Sequence, residues 1–225
     1  MKKRVKIFLG IIVAFIVIFI SGFVFLSQYS PATESEINFV LNNADGFLYE
    51  ENKSYISLSP SEPLGIGIIF YPGGNVDEKA YIPMFAELAK EGIDIYIIKM
   101  PFRLAVFNIN GADEVLPVIK SSQQNDKIYL SGHSLGGAMI SVYASRNPGL
   151  FEGIILMGAY TTSDISQSGL KVLSISGTND LVLNRENFEK YMDNLPSDAV
   201  VLEIEGGNHA YFGNYGEQKG DGVAT

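Results

Sequence analysis

From residue 64 onward the chain alternates two kinds of segment, and that alternation limits what it can fold into. LGIGIIFYP, IDIYIIKMPF, KIYLSGHS, FEGIILMGAY, KVLSISGT and AVVLEIEG are apolar runs of strand length. Runs apolar at consecutive positions predict strands covered on both faces, as in a parallel sheet. Helical patterns fill the gaps. PMFAELAKEG sets Met84, Phe85, Leu88 and Ala89 on one face, with Pro83 in a first turn and Gly92 as a stop. NGADEVLPVIKS, GGAMISVYASRNP and RENFEKYMDNLP supply three more, the first made less regular by Pro117. This succession predicts a doubly wound, mostly parallel α/β sheet. Ahead of it, FLYEEN and SYISLSP read as an edge hairpin. At 225 residues and 47% apolar composition, the chain can bury the core of one globular domain.

The amino terminus stands apart. MKKRVK is followed by IFLGIIVAFIVIFISGFVFLS, residues 7 to 27, a run of 21 residues without a charge. About 20 apolar residues cross a hydrocarbon core, whereas the apolar stretch of a secretory signal is about 7 to 15. The expectation is one amino-terminal transmembrane helix over residues 7 to 27, with residues 1 to 6 as a basic cytoplasmic tail. A cleaved signal peptide is the competing reading, but no persuasive small-x-small cleavage site follows the run, and a chain without cysteine offers nothing for lipoprotein processing. Lys2, Lys3, Arg4 and Lys6 precede the run and SQYSPATESE follows it. The positive-inside tendency therefore leaves the main domain, residues 46 to 225, outside the cell membrane, led off by a polar stalk over residues 28 to 45. The lipid bilayer is thus one expected partner.

Formal charge excludes others. The whole chain carries −9, and its first 27 residues hold four basic groups and no acidic ones, so the remainder is more acidic still. Such a surface suits neither nucleic acid nor anionic lipid headgroups. The missing cysteines fit an exposed bacterial domain built without disulfides, a feature that cytosolic proteins share.

In doubly wound sheets, function collects at the carboxyl ends of the strands. Four ends carry unusual residues: YPGGN, GHSLGG, GTND and EGGNHAYFG. Gly132-His133-Ser134-Leu135-Gly136 fits G-x-S-x-G, in which a nucleophile sits on a strained turn from strand to helix. A glycine turn whose serine merely caps the helix uses the same residues, so the weight comes from the strand before, the helix after and the partners elsewhere. The amide of Leu135 falls at a helix amino terminus, where free N–H groups and the dipole favour negative charge.

A serine nucleophile needs a base, and the chain has two histidines. His133 adjoins the serine on its strand and is expected to point to the opposite face, packing or hydrogen-bonding the elbow. That leaves His209. Asp180 is expected to orient it, because Ser, Asp, His is the chain order used by such sheets. Asp164, after the fourth of these strands, is the alternative, since aspartates also favour turns. A second oxyanion donor is expected in Tyr71-Pro72-Gly73-Gly74-Asn75, from the amide of Gly74 or Asn75. This chemistry calls for no metal and no organic cofactor.

These segments resemble the α/β-hydrolase superfamily, and within it the small bacterial, dienelactone-hydrolase-like branch known as alpha/beta hydrolase fold-5. The resemblance spans residue 45 to the end and rests on FYPGGNVDEKAYIP, KMPFRLAVFN with NGADEV, GHSLGGAM, SGTNDLV and GGNHAYFGNYGEQKGDG, the last far more specific than G-x-S-x-G. It implies the α/β-hydrolase fold and a triad of Ser134, Asp180 and His209. Arg103 stands where the resemblance implies asparagine, a change expected to alter the mouth of the site. Thr225 closes the sequence soon after the histidine loop, where the resemblance implies a further helix. Only TTSDISQSGL separates the fourth and fifth strands, so no large cap is expected.

Together these features imply a membrane-anchored extracytoplasmic serine hydrolase of carboxylesterase type, open to a small-molecule or surface-attached acyl substrate. Acyl transfer, lactone opening and peptide hydrolysis run on the same triad, and an anchored binding module is the non-enzymatic alternative. Tyr81, Phe102, Arg103, Tyr160, Tyr211 and Phe212 fall near the expected active edge, either lining the pocket or packing.

Overall fold

Each apolar run becomes one strand of a single eight-stranded sheet. The structure is a computed structural model and describes residues 15–17, 22, 27–122 and 126–225. The strands are β1 Phe47–Glu51, β2 Tyr55–Pro60, β3 Ile66–Tyr71, β4 Ile93–Ile98, β5 Lys127–His133, β6 Gly153–Met157, β7 Lys171–Gly177 and β8 Val200–Ile204. They lie in the order β1-β2-β4-β3-β5-β6-β7-β8. β2 runs antiparallel to both its neighbours, and every pair from β4 to β8 is parallel.

Burial on both faces explains the continuous apolar runs. Ile68 and Phe70 of β3 join a core with Ile95 and Ile97 of β4, while Ile69 and Tyr71 join a second core with Tyr96 and Ile98. The first core is closed by α1 Glu34–Asn42 and α2 Ile82–Lys90 through Ile37, Ile82, Phe85 and Ala89. The second is closed by α3 Leu116–Ser122 and α4 Leu135–Arg146 through Leu116, Ile119, Ile140 and Tyr143. Full burial of a side chain such as Phe85 or Ile140 is worth about 1.5–3 kcal/mol. NGADEVLPVIKS divides into a 3-10 turn, Gly111–Glu114, and α3, which accepts Pro117 in its first turn. A short α5, Arg185–Lys190, follows β7.

Three expectations need correction or delimiting. Residues 28 to 45 are not a stalk. Ser30 bridges Val76, its amide donating to Asn75 O at 2.7 Å and its carbonyl accepting from Asp77 N at 3.0 Å. Thr33 N donates to Asn214 O at 2.8 Å, and α1 then buries Ile37 with Val40 and Leu41 against the first core. Apolar residues spaced by three and four make one helical stripe, so a polar-looking segment still docks. The expected transmembrane helix over residues 7 to 27 lies almost wholly outside the described residues, and among those no helix is long and apolar enough to cross a membrane. β8, finally, is exposed at all five positions instead of covered on both faces. No α-helix follows it among the described residues; the backbone instead returns so that Thr225 N donates to Gly206 O at 3.0 Å. Between β6 and β7 there is no helix, and among the described residues no large cap is inserted there.

Candidate active site

The chain passes from β3 outward to β4 and then returns to place β5 on the other side of β3. Loops after β3 and β5 therefore diverge, and such a switch point opens a crevice at the carboxyl ends of the strands. Ser134 stands at this point, between β5 and α4, with φ 51° and ψ −120°. That backbone is strained for a residue with a Cβ. Its amide donates to Met157 O at 2.9 Å, tying the corner to β6. The flanking glycines are required by crowding: a Cβ on Gly136 would lie 2.0 Å from Tyr71 O, and one on Gly132 would lie 2.6 Å from the Gly136 carbonyl carbon.

His209, on the loop after β8, is hydrogen-bonded through Nδ1 to Asp180 Oδ2 at 2.8 Å. Asp180 also accepts at Oδ1 from Leu183 N at 2.8 Å and Val182 N at 3.0 Å. Burial pushes this carboxyl up, but the His209 hydrogen bond and the two amides outweigh it, so its pKa lies below the ordinary value. An ionised Asp180 can only accept, so Nδ1 of His209 is the donor in this contact. Nε2 is buried and has no hydrogen-bond partner among the described residues. Ser134 lines the same cleft as His209 without closing a hydrogen bond to it; such contacts are often loose before substrate binds. Asp164 is elsewhere, exposed and engaged with the amide and hydroxyl of Ser166 in a turn.

The loop after β3 narrows the oxyanion donors. Asn75, expected as one of two, is excluded because its amide donates to Arg103 O at 2.9 Å. Gly73 N is likewise engaged, donating to Tyr81 Oη at 3.0 Å. Gly74 keeps the amide of this loop with no acceptor among the described residues, and a Cβ placed on it would lie 3.1 Å from Leu135 Cδ2. Leu135 begins α4, where the first amides lack intrahelical partners. Gly74 thus adjoins Leu135, the residue that follows Ser134.

His133 is buried beside the serine corner, against Tyr81, His209 and Phe212. Tyr81 Oη accepts from Gly73 N and is hydrogen-bonded to His133 Nδ1 at 2.8 Å. The His133 ring lies 4.6 Å from that of His209 and 5.5 Å from that of Phe212. Burial first, and the neighbouring His209 second, push the pKa of His133 down to about 3 against the opposing pull of Asp180. It is therefore neutral above that value. Tyr81, at the start of α2, thereby joins the loop after β3 to His133, whose ring lies beside that of His209. Its proximity to residue 133 is a contact across 52 positions that no local pattern announces.

The cleft is about 430 Å³ and is lined by Ser134, His209, Leu135, Met139, Tyr160 and Leu183 with smaller neighbours, none carrying a fixed charge. Arg103 does not line it. Its guanidinium lies 3.4 Å above the Tyr29 ring, with Asp77 at 3.8 Å. Among the described residues no group of His, Asp and Glu side chains gathers as a set of metal ligands.

The sequence profile of the alpha/beta hydrolase family matches residues 67–225. The chain belongs to the alpha/beta hydrolase family. Solved structures share the fold of this hydrolase. A predicted CIB-like hydrolase from Thermoplasma acidophilum is 16% identical, with TM-score 0.58 over 74% of this chain and 91% of its own. MGS-MChE2, an alpha/beta hydrolase enzyme from the metagenome of Mar Chica lagoon sediments in Morocco, is 15% identical, with TM-score 0.56 over 73% and 90%. Est1E from Butyrivibrio proteoclasticus is 14% identical, with TM-score 0.58 over 74% and 91%. No curated protein sequence matches significantly.

Proposed function

We propose that this hydrolase is a serine carboxylesterase, anchored by residues 7 to 27 with its catalytic domain outside the membrane. The observation that carries the catalytic reading is a serine on a strained corner, opening into the cleft that also holds a buried His209–Asp180 pair. Ser134 Oγ attacks the ester carbonyl while His209 Nε2 takes its proton. The carbonyl oxygen becomes an oxyanion held by the amides of Leu135 and Gly74. Collapse expels the alcohol, which leaves with the proton from His209. Water then attacks the acyl-enzyme, giving its proton to His209, and a second collapse releases the acid and restores Ser134. The uncharged lining of the cleft favours an uncharged acyl group.

Hydrolysis of an ester panel by the full chain, with product analysis, tests this reading. Free acid is expected in stoichiometric amount with alcohol. Acid falling short in the presence of a second alcohol would mean acyl transfer. Asp180→Asn removes the carboxylate that sets the tautomer of His209, and kcat is expected to fall about 10⁴-fold with the fold intact by circular dichroism. Undiminished turnover would remove Asp180 from the mechanism.

A further inference from the structure

The segment following the apolar run docks beside the mouth of the cleft. Ser30 lies three residues beyond Ser27, the last residue of that run, and pairs with Asn75 and Val76 next to Gly74. Three residues span at most about 10 Å. Tyr29 is held under the Arg103 guanidinium at 3.4 Å. Arg103 follows Phe102, whose ring meets that of Phe107 at 5.9 Å. These two phenylalanines are 47% and 54% exposed, and Val106 beside them is also exposed. The turn Ala105–Phe107 packs on α4, the helix that begins beside Ser134. Across the cleft, Leu181 and Val182 are exposed next to Asp180. Exposed apolar side chains therefore stand on the turn packed against α4 and on the loop of Asp180, two elements that border the cleft.

We infer that the mouth of the cleft is seated on the bilayer, with Phe102 and Phe107 at headgroup depth, and that its ester is carried by an amphiphile resident in that membrane. The inference rests on the anchored serine-hydrolase reading above. Aromatic rings collect at the membrane interface, and a tether this short holds the rim there. The acidic charge of the domain opposes anionic lipid, so the seat is made by the tether and the rim rather than by charge. A neutral, apolar cleft opening at that surface receives an acyl ester without drawing it through water.

The test uses the full chain in phosphatidylcholine vesicles. The chain has no tryptophan, so Phe107→Trp supplies a single reporter and Val106→Trp a second on the same turn. Leu150→Trp is the reference, in the turn between α4 and β6 at the opposite edge of the sheet. With a spin label near the lipid headgroup, the two rim reporters are expected to be quenched at least threefold more than the reference in chains that float with the vesicles. A long-chain methylumbelliferyl ester in the same vesicles is expected to be cleaved at least tenfold faster than one in separate, protein-free vesicles. Equal quenching, equal rates or a chain that does not float would overturn the inference. Fluorophosphonate labelling of Ser134 in the same vesicles separates the two readings. Without an adduct, the hydrolase reading and its ester fall while quenching still reports the seat. With an adduct but no differential quenching, only the seat falls.

Discussion

Ser134 holds φ 51° and ψ −120°, a conformation that costs a residue with a Cβ about 1–3 kcal/mol and glycine little. Ser134→Gly is therefore expected to unfold in urea at higher free energy than Ser134→Ala by about that amount, with neither variant turning over ester. Equal stability would mean that the corner is unstrained. Buried His133 contributes acid sensitivity to the fold. Burial and His209 hold its pKa near 3, whereas an unfolded histidine protonates near 6.5. Between these values the unfolded chain binds a proton that the folded chain refuses, so stability is fully present above about pH 6.5 and is lost as pH falls toward 3. Tyr81, His209 and Asp180 face this ring. The depressed Asp180 carboxyl acts in a lower window, losing its contribution only below about pH 4. Between pH 6.5 and 4.5, His133→Gln is expected to flatten the decline in urea-unfolding free energy by about 1.4 kcal/mol per pH unit. Parallel slopes would show that His133 titrates normally.

Among the elements, the strands were legible because burial on both faces forces continuous apolar runs, and β3 to β7 show that burial. Helix α1 was not, because Glu34, Glu36 and Asn38 mask the stripe of Ile37, Val40 and Leu41. The docking of residues 28 to 33 depends on left-handed turns at Asn75, Phe102 and Arg103, a geometry that side-chain pattern does not encode. The same turns consume the Asn75 amide through Arg103 O, a contact that no local pattern announces. After β8, the tail takes up the work of holding the loops. Asp221 accepts from Ala210 N at 2.8 Å through Oδ2 and from Leu181 N at 3.3 Å through Oδ1, joining the loops of His209 and Asp180. Asn208 Nδ2 adds a bond to Gly222 O at 2.9 Å. Hydrogen bonds to a charged group are worth about 1.5–3 kcal/mol, so Asp221→Ala is expected to lower kcat at least tenfold, with KM changing less. Unchanged kcat in a folded variant would show that the tail does not position the pair.

At the scale of the molecule, one sheet gathers residues from distant parts of the chain. β5 delivers Ser134, the loop after β7 delivers Asp180, and the loop after β8 delivers His209, all on one edge. This much follows from strand order and was legible from the three motifs and their sequence. The coupling of that edge to the amino-terminal segment was not, since it arises from Ser30, Tyr29 and Arg103 meeting only in the folded state. The central claim is that the gathered residues activate one serine. Intact-mass measurement of the full chain after fluorophosphonate treatment, with Ser134→Ala alongside, addresses it without a guess at the substrate. A single adduct on the native chain, absent from the variant, is the expected result. A folded native chain that takes no adduct, or a variant that still takes one, would contradict an activated Ser134.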